Sequence, residues 1–429
     1  MTSDNSSPET FLDDFHHVAT IGATPGGGVD RQAGTAEDQR VRAWFTDFAE
    51  RRGWQVRRDG IGNLFALVEL VPDAPYVLVG SHLDSQPLGG RFDGAYGVIA
   101  ALHAAQRLHD EVVAGATVPK YNVAVVDWFN EEGGRFAPSI MGSSVFAGLM
   151  DQEQMLSVTD LAGVTVQEAM SKIGAIGNDP RPDIVAYAEI HIEQGRILER
   201  EQISIGAVDF SWHTQKLDIT VIGEQSHTGA TAMADRRDAL VAASEVVLLV
   251  HNVTGVAEPE SLVSSVGQLT LEPNSPIVVP RLVRLVADLR AERKSDVLAA
   301  RESLLRNIES VAKRYNVRIE VTDVDIREIQ YYPEAGLQLA EKVGADAGLG
   351  VRRLRTMAGH DSVAMNRIVP TVMMFVPSVD GVSHCERELT MDADMVAGVN
   401  ALTGVVRRLC EGELDGVEAG MSDTGQARS

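Results

Sequence analysis

The stretch GSHLDSQPLGGRFDGAYGV, residues 80–98, sets His82, Asp84 and Asp93 in one glycine-rich loop directly after the apolar run YVLVGS (76–81). Ionisable groups at a strand end are poor packing material unless they are solvated, paired or bound to a cation. The pattern recurs along the chain. Asn130, Glu131 and Glu132 follow NVAVVDWF (122–129), and His191 and Glu193 stand at the end of IVAYAEIHI (184–192). His384 lies in GVSHCERE, after TVMMFVPS (371–378). Histidines and carboxylates without a thiolate cluster suit borderline divalent metals such as Zn, Mn, Co or Ni. A carboxylate between two ions can bridge them, and Asp93 is the candidate. The second acid of the Glu131-Glu132 pair is superfluous as a ligand and could take a proton from an activated water.

Each piece has a plainer reading by itself. A strand-end histidine is usually hydrogen-bonded, a Glu-Glu pair is usually a solvated turn, and Gly89, Gly90, Gly94 and Gly97 could simply shape a loop. The metal reading gains its weight from the clustering of these groups at equivalent ends of successive strands, where ligands of open α/β sheets sit. PGGGVD (25–30) lacks a preceding strand and a G-K-[ST] ending, so it reads as a plain loop rather than a phosphate cradle. No G-x-S-x-G elbow is present, which excludes the common serine-hydrolase arrangement.

The elements that must carry these groups fall into two textures. From about 10 to 210, short apolar runs (63–70, 76–81, 122–129, 184–192) alternate with helical patterns around 37–53 and 94–111. The alternation resumes near 335 and ends on a helix around 392–411. Such a chain predicts an α/β domain with a mostly parallel sheet. The middle differs. QKLDITVIG (215–223) alternates apolar and polar residues, and 236–253, 261–272, 281–290, 295–315 and 317–324 read as helix, strand, strand, helix and strand. That order is βαββαβ, the split ferredoxin-like unit. The predicted organisation is a larger α/β domain in two parts, 10–212 and 327–411, with a smaller domain inserted at 213–326. Residues 1–9 and 412–429 are expected to be disordered tails.

At 429 residues the chain exceeds one ordinary domain, and its 44% hydrophobic and 23% charged content are those of a water-soluble globular protein. No apolar run reaches membrane-spanning length, and MTSDNSSPET lacks the basic and apolar regions of a secretory signal. A formal charge of −23 excludes the basic footprint that nucleic acids and anionic membranes require. The two cysteines, Cys385 and Cys410, make no disulfide framework, so a cytoplasmic location is expected.

Taken in order, GSHLDSQPLGGRFDGAYGV, NEEGGRF, HIEQG, SHTGATAMADRRDAL, AGHDS and GVSHCERE resemble the M20 metallopeptidase-like family. Within it they are most similar to the branch of N-carbamoyl-L-amino-acid hydrolases, allantoate amidohydrolases and ureidoglycolate amidohydrolases. The resemblance runs from GGGVDRQAG (26–34) to HCERELT (384–390). It implies that His82, Asp93, Glu132, His191 and His384 hold two divalent ions, with Asp93 bridging, Glu131 as general base and Asp84 orienting His82. His227 would reach the reacting carbonyl from the inserted domain, across a homodimer. Gln194, Asn274 and Arg290 match positions that hold the substrate's polar end and carboxylate. His360 and Asp361 match a motif near the site. The chain departs from the branch at Ile277, where relatives place an asparagine, and at Ser211-Trp212, where an Arg-Trp is common.

The activity implied is ureido C–N hydrolysis of a small molecule, foremost an N-carbamoyl-L-amino acid. Allantoate, ureidoglycolate or N-acyl amino acids and dipeptides are the alternatives on the same scaffold. A metal-containing binding protein without catalysis is the outside alternative, and an intact Glu131 speaks against it.

Overall fold

The computed structural model describes residues 7–422. The parts of the expected tails at 1–6 and 423–429 lie outside the described residues. Residues 7–210 and 330–422 form one compact unit, and 211–329 form another.

The first unit is built on a ten-stranded sheet. At its centre Tyr76–His82 pairs in parallel with Asn122–Trp128 on one side and Ile184–Ile192 on the other. Thr371–Val376 continues the parallel set beyond Ile184–Ile192. Antiparallel strands finish both flanks, Leu64–Val68 beside Asn122–Trp128 and Ile205–Ser211 beside Thr371–Val376. The central strands are apolar on both faces because both are covered. Val77 and Val79 join Val123, Val125 and Ile190 in one cluster, with helices Ala95–Val113 and Asp392–Cys410 supplying Val98, Leu102, Val399 and Leu402. Leu78, Ala124, Val126 and Tyr187 face the opposite way, against Phe65, Trp128 and Met365. Each such aliphatic side chain contributes about 1.5–3 kcal/mol by leaving water, and parallel strands tolerate no polar face. The polar residues are therefore pushed to the strand ends. Since the four central strands run the same way, His82, Glu131, Glu132, His191 and Glu193 all emerge at or just beyond the same edge.

The second unit is a four-stranded antiparallel sheet in the order Arg318–Arg327, His213–Ile222, Leu282–Ala291, Leu262–Glu272. Helices Ala239–Asn252 and Lys294–Tyr315 pack on one face through Ala242, Val246, Val297 and Leu304, against Leu217, Ile219, Val221 and Leu285. Chain order is strand, helix, strand, strand, helix, strand. The alternation in His213–Ile222 follows from one covered and one open sheet face. The fold class is thus α/β with a sheet centre that is parallel and an inserted ferredoxin-like unit.

Two expectations differ from the structure. Residues 7–9 and 412–422, taken as parts of disordered tails, are placed. Helix Pro8–Val18 starts at Ser7, whose hydroxyl accepts the Thr10 N–H, and buries Phe11 and Phe15. After Cys410 the chain buries Leu414, engages Lys120 and Tyr121 through Asp415, and ends with Met421–Ser422 paired to Gln330–Tyr331. A few apolar anchors in a polar segment were enough to order it.

The second difference is an 18-residue window, Ala239–Val256, with mean hydropathy 1.7, long and apolar enough by composition to cross a membrane. Its regular helix is 14 residues, about 21 Å at the α-helical rise, short of a ~30 Å hydrocarbon layer. One face of it packs Ala239, Ala242, Ala243, Val246 and Val250 against the sheet, while Val241 and Leu248 are exposed.

Candidate metal centre

His82 is the last residue of its strand and is 1% exposed. Its Nδ1 lies 3.0 Å from the Asp84 carbonyl, which can only accept, so Nδ1 carries the proton. His191 is fixed the same way, with Nδ1 3.0 Å from the Ile192 carbonyl. Both rings therefore turn Nε2 toward one carboxylate oxygen, and His191 Nε2 also lies 3.0 Å from the Gly94 N–H. Asp93 Oδ1 is 3.4 Å from His82 Nε2 and 3.0 Å from His191 Nε2. His82 Nε2 is buried with no hydrogen-bond partner. Two imidazole nitrogens and a carboxylate this close need positive charge among them, either protons on the rings or a cation in their midst.

The other Asp93 oxygen faces a second cluster. Oδ2 is 3.5 Å from His384 Nε2, which is 3.2 Å from Glu132 Oε2. Two donor sets result, His82–Asp93–His191 and Asp93–Glu132–His384, each with its ligand atoms within 4.8 Å of one another. Asp93 belongs to both. The first set is buried; His384 is half exposed and opens the second to solvent. The residues fit divalent ions by donor type, by the orphaned His82 nitrogen and by the shared carboxylate.

The electrostatics agree. Burial pushes Glu131 up to about 8, with Glu132, Asp93 and Asp84 adding to it and His82 opposing. Burial likewise drives Glu132 well above the ordinary range, helped by Asp93 and Asp84. Burial opposes charge on His82, but Glu131, Asp84 and Asp93 outweigh it and hold the imidazole well above its usual value. Asp93 stays well below its usual range against burial, because His191, His82 and His384 surround it. Such a knot of carboxylates is costly without positive charge at its centre.

Supports hold these groups in place. Asp84 lies beside His82 and accepts the backbone N–H groups of Glu131 (3.2 Å) and Glu132 (3.4 Å), tying one donor to the loop carrying the others. Glu131 Oε2 lies 3.5 Å from His82 Nε2. Asn130, Gln194 and His384 all adopt positive φ, at 50°, 57° and 57°, a strain of about 1–3 kcal/mol each that surrounding structure must hold. Gly94, at φ 63°, allows the close approach of His82: a Cβ there would lie 2.3 Å from the imidazole.

Several supports were not foreseen in the sequence. Glu388 accepts the N–H groups of Phe92 and Asp93 and the Ser383 hydroxyl, so it positions the loop bearing the shared carboxylate. Glu386 takes the Gly26 N–H and the Thr24 hydroxyl, which makes PGGGVD a brace for the His384 loop. The glycines there are steric: a Cβ on Gly28 would meet the Gly89 carbonyl at 2.1 Å. Glu386 and Glu388 have no local periodicity to mark them. Glu189 did leave a signal, a lone acid within an apolar strand two residues before His191.

Gln194 is tied into the donor array. In this structure its side-chain amide donates to Asp93 Oδ2 at 2.7 Å and lies 3.2 Å from Ser383 Oγ. His360 packs its ring 4.6 Å from that of His191, and Asp361 is fully buried.

His227, Asn274 and Arg290 belong to the second unit. His227 sits on a two-stranded ribbon with Val278–Val279, and its Nδ1 accepts the N–H groups of Gly229 and Ala230. Its proton is therefore on Nε2, and the side chain is exposed. Asn274 is exposed in the loop that leads to that ribbon, and Ile277, in the same loop, is 67% exposed. Arg290 turns its Nε–Nη2 edge onto Asp288, with Nη2 2.6 Å from Oδ2, so that edge is already engaged by a carboxylate.

A central parallel sheet, an inserted split βαβ unit and two carboxylate-linked donor sets at the strand ends define a hydrolase-like architecture. The chain belongs to peptidase family M20/M25/M40, whose profile matches residues 78–408. A Mycolicibacterium smegmatis protein named as a hydrolase is 49% identical over 424 residues, 97% of this chain and 96% of that protein. An N-carbamoyl-L-amino acid amidohydrolase of Geobacillus stearothermophilus is 34% identical over 407 residues, covering 92% and 97%. Among solved structures, an amidase of the hydantoinase/carbamoylase family from Burkholderia vietnamiensis matches with TM-score 0.90 at 35% identity, covering 95% of this chain and 98% of that one.

Proposed function

We propose that the protein is an amidohydrolase that uses two divalent ions to cleave a ureido C–N bond, converting an N-carbamoyl-L-amino acid and water to the L-amino acid, CO2 and NH3. The observation that carries this reading is the sharing of Asp93 between two donor sets. The amidohydrolase relative from Geobacillus stearothermophilus supports the choice of substrate class.

His82, Asp93 and His191 would hold one ion, and Asp93, Glu132 and His384 the other. Ions of the Zn, Mn, Co or Ni type would supply Lewis acidity and a water of lowered pKa. Glu131, beside the donors without being needed as one, accepts the proton of the attacking water and returns it to the leaving nitrogen. His227 carries its proton on Nε2 and donates to the developing oxyanion. Arg290 and Asn274 receive the substrate carboxylate, which requires Arg290 to share or release Asp288. Gln194 holds Asp93 and is available to the substrate's polar end. Ile277 is an apolar contact for the substrate side chain.

A homodimer would complete the site with the partner's lid. A cytoplasmic location fits two unpaired cysteines, Cys385 and Cys410.

The test is ammonia release by chelator-stripped protein reloaded with Mn, Co, Ni or Zn. The panel is a series of N-carbamoyl-L-amino acids, allantoate, ureidoglycolate and, with amine as readout, N-acetyl amino acids. Metal-dependent ammonia from the carbamoyl series is expected. Ammonia only from allantoate or ureidoglycolate would move the protein to purine breakdown, and amine only from N-acyl substrates would refute the ureido assignment.

A further inference from the structure

Three consecutive residues, His360, Asp361 and Ser362, are linked to both halves of the donor array, His360 by direct contact with His191 and the other two through Glu189 and Ser143. All three are buried, at 2%, 0% and 0% exposure. His360 lays its ring against His191 and, at 5.3 Å, against Phe375. The Ser362 N–H donates to Glu189 Oε2 at 2.8 Å, and Glu189 Oε1 accepts the hydroxyl of Ser81 at 2.9 Å. Glu189 stands two residues before His191, and Ser81 is the residue before His82. One side of the tripeptide is thus tied to the strands that end in these two histidines.

The other side is tied to the loop of acids. Asp361 Oδ1 accepts the hydroxyl of Ser143, on the short helix Met141–Phe146. The start of that helix is laced to residues 129–131: Ile140 N–H donates to the Glu131 carbonyl at 2.7 Å, and Gly142 N–H to that of Phe129 at 2.9 Å. Ile140 is held at φ 58° to make this turn. Moving Ser143 therefore moves Glu131 and, with it, Glu132.

We propose that His360-Asp361-Ser362 is a positioning brace that sets the spacing between the histidine half of the metal centre and the Glu131-Glu132 loop, with the Asp361–Ser143 hydrogen bond as its link to that loop. The inference rests on the roles given above to Glu131 and Glu132. Asp361 and Ser143 act through the backbone they hold. They make no contact with substrate and act as positioning residues.

The experiment compares the wild type with Ser143→Ala, Asp361→Ala, Asp361→Asn and the double alanine variant. It reads kcat and KM on the best carbamoyl substrate, thermal midpoint, and calorimetric titration of the stripped protein with Mn2+. Small misplacements at a reacting centre cost on the order of tenfold to a hundredfold, so Ser143→Ala and Asp361→Ala should each lose at least about tenfold in kcat, with KM nearly unchanged. The double variant should be no worse than the poorer single one, because both break one link. Asp361→Asn keeps the acceptor for Ser143 and should recover most of the loss. The ion at Asp93–Glu132–His384 should bind more weakly in the alanine variants while the ion between the histidines is kept.

Additive losses, an asparagine variant as poor as the alanine one, or unchanged titrations would overturn the brace. If the wild type binds two ions and turns over while the alanine variants match it, the brace is wrong and the proposed function stands. If the wild type binds two ions without turnover of any ureido substrate, the function is wrong and the titrations alone decide the brace. If it binds no metal, both are wrong.

Discussion

His191 points its Nε2 at Asp93 Oδ1 from 3.0 Å, while its Nδ1 is committed to the Ile192 carbonyl. His82 Nε2 joins them from 3.4 Å. The arrangement is stable only around positive charge. Asp93→Asn would remove one unit of negative charge and one oxygen donor from the shared position. Both ions should then bind more weakly, and turnover should fall by about a thousandfold or more. Metal content after gel filtration, measured beside ammonia release, checks this; an asparagine variant that retains both ions and full activity would refute the shared role.

In the proposed mechanism Glu131 serves proton transfer and not ligation. Glu131→Gln should keep two ions per chain and near-normal substrate affinity, while kcat drops by about 10²–10⁴-fold, the usual worth of a positioned base. Elemental analysis together with single-turnover kinetics separates this from a loss of metal. A glutamine variant that stays active would point to a binding or purely electrostatic role.

Gly94 is required by shape. An alanine there faces the His82 ring at 2.3–2.4 Å and must adopt φ 63°. With ψ at −52° the backbone lies outside even the left-handed helical region, a conformation that costs a non-glycine roughly 1–3 kcal/mol, and relief of the clash displaces His82. Gly94→Ala should lower both the thermal midpoint and the affinity of the ion between the histidines. An unchanged midpoint with unchanged metal affinity would show that the ring has room to move.

Acid sensitivity has a component far from the site. Arg353, on strand Val351–Thr356, bonds Glu341 (2.6 Å to Oε1) and Glu334 (2.8 Å to Oε1), both on helix Glu334–Asp346. Those hydrogen bonds hold both carboxyls below their ordinary value of 4.5. A depressed acid contributes stability that is present above its unfolded pKa and is lost as pH falls through its folded one. Arg353→Gln should therefore lower the thermal midpoint slightly at pH 7, on the scale of an exposed ion-pair network of under about 1 kcal/mol. The difference from wild type should shrink below pH 4. A gap that persists or widens in acid would contradict the assignment.

Much of this molecule was legible from local pattern. Continuous apolar runs marked the four parallel strands, since a strand covered on both faces admits few polar residues. The alternation of 215–223 marked the open-faced sheet of the inserted unit. The candidate donors were legible because His82, Glu132 and His191 stand at or just past strand ends, where an ionisable group has no packing use.

Other features have no local signature. Glu388 and Glu386 look like surface acids, yet one holds the Asp93 loop from 295 residues away and the other holds Gly26 from 360. Asp288 neutralises an edge of Arg290 that looked available, and Gln194 spends its amide on Asp93. The order of 412–422 depended on a few side chains meeting a surface formed by distant strands.

The sequence by itself determined the strands, the insertion and the types of donor, because periodicity and burial act within a dozen residues. The tertiary structure decided that one carboxylate serves two donor sets, which acids brace the loops that carry them, and where Asp361 sits. Those outcomes depend on which distant segments the closed core brings within hydrogen-bond reach, a relation that spacing along the chain does not encode.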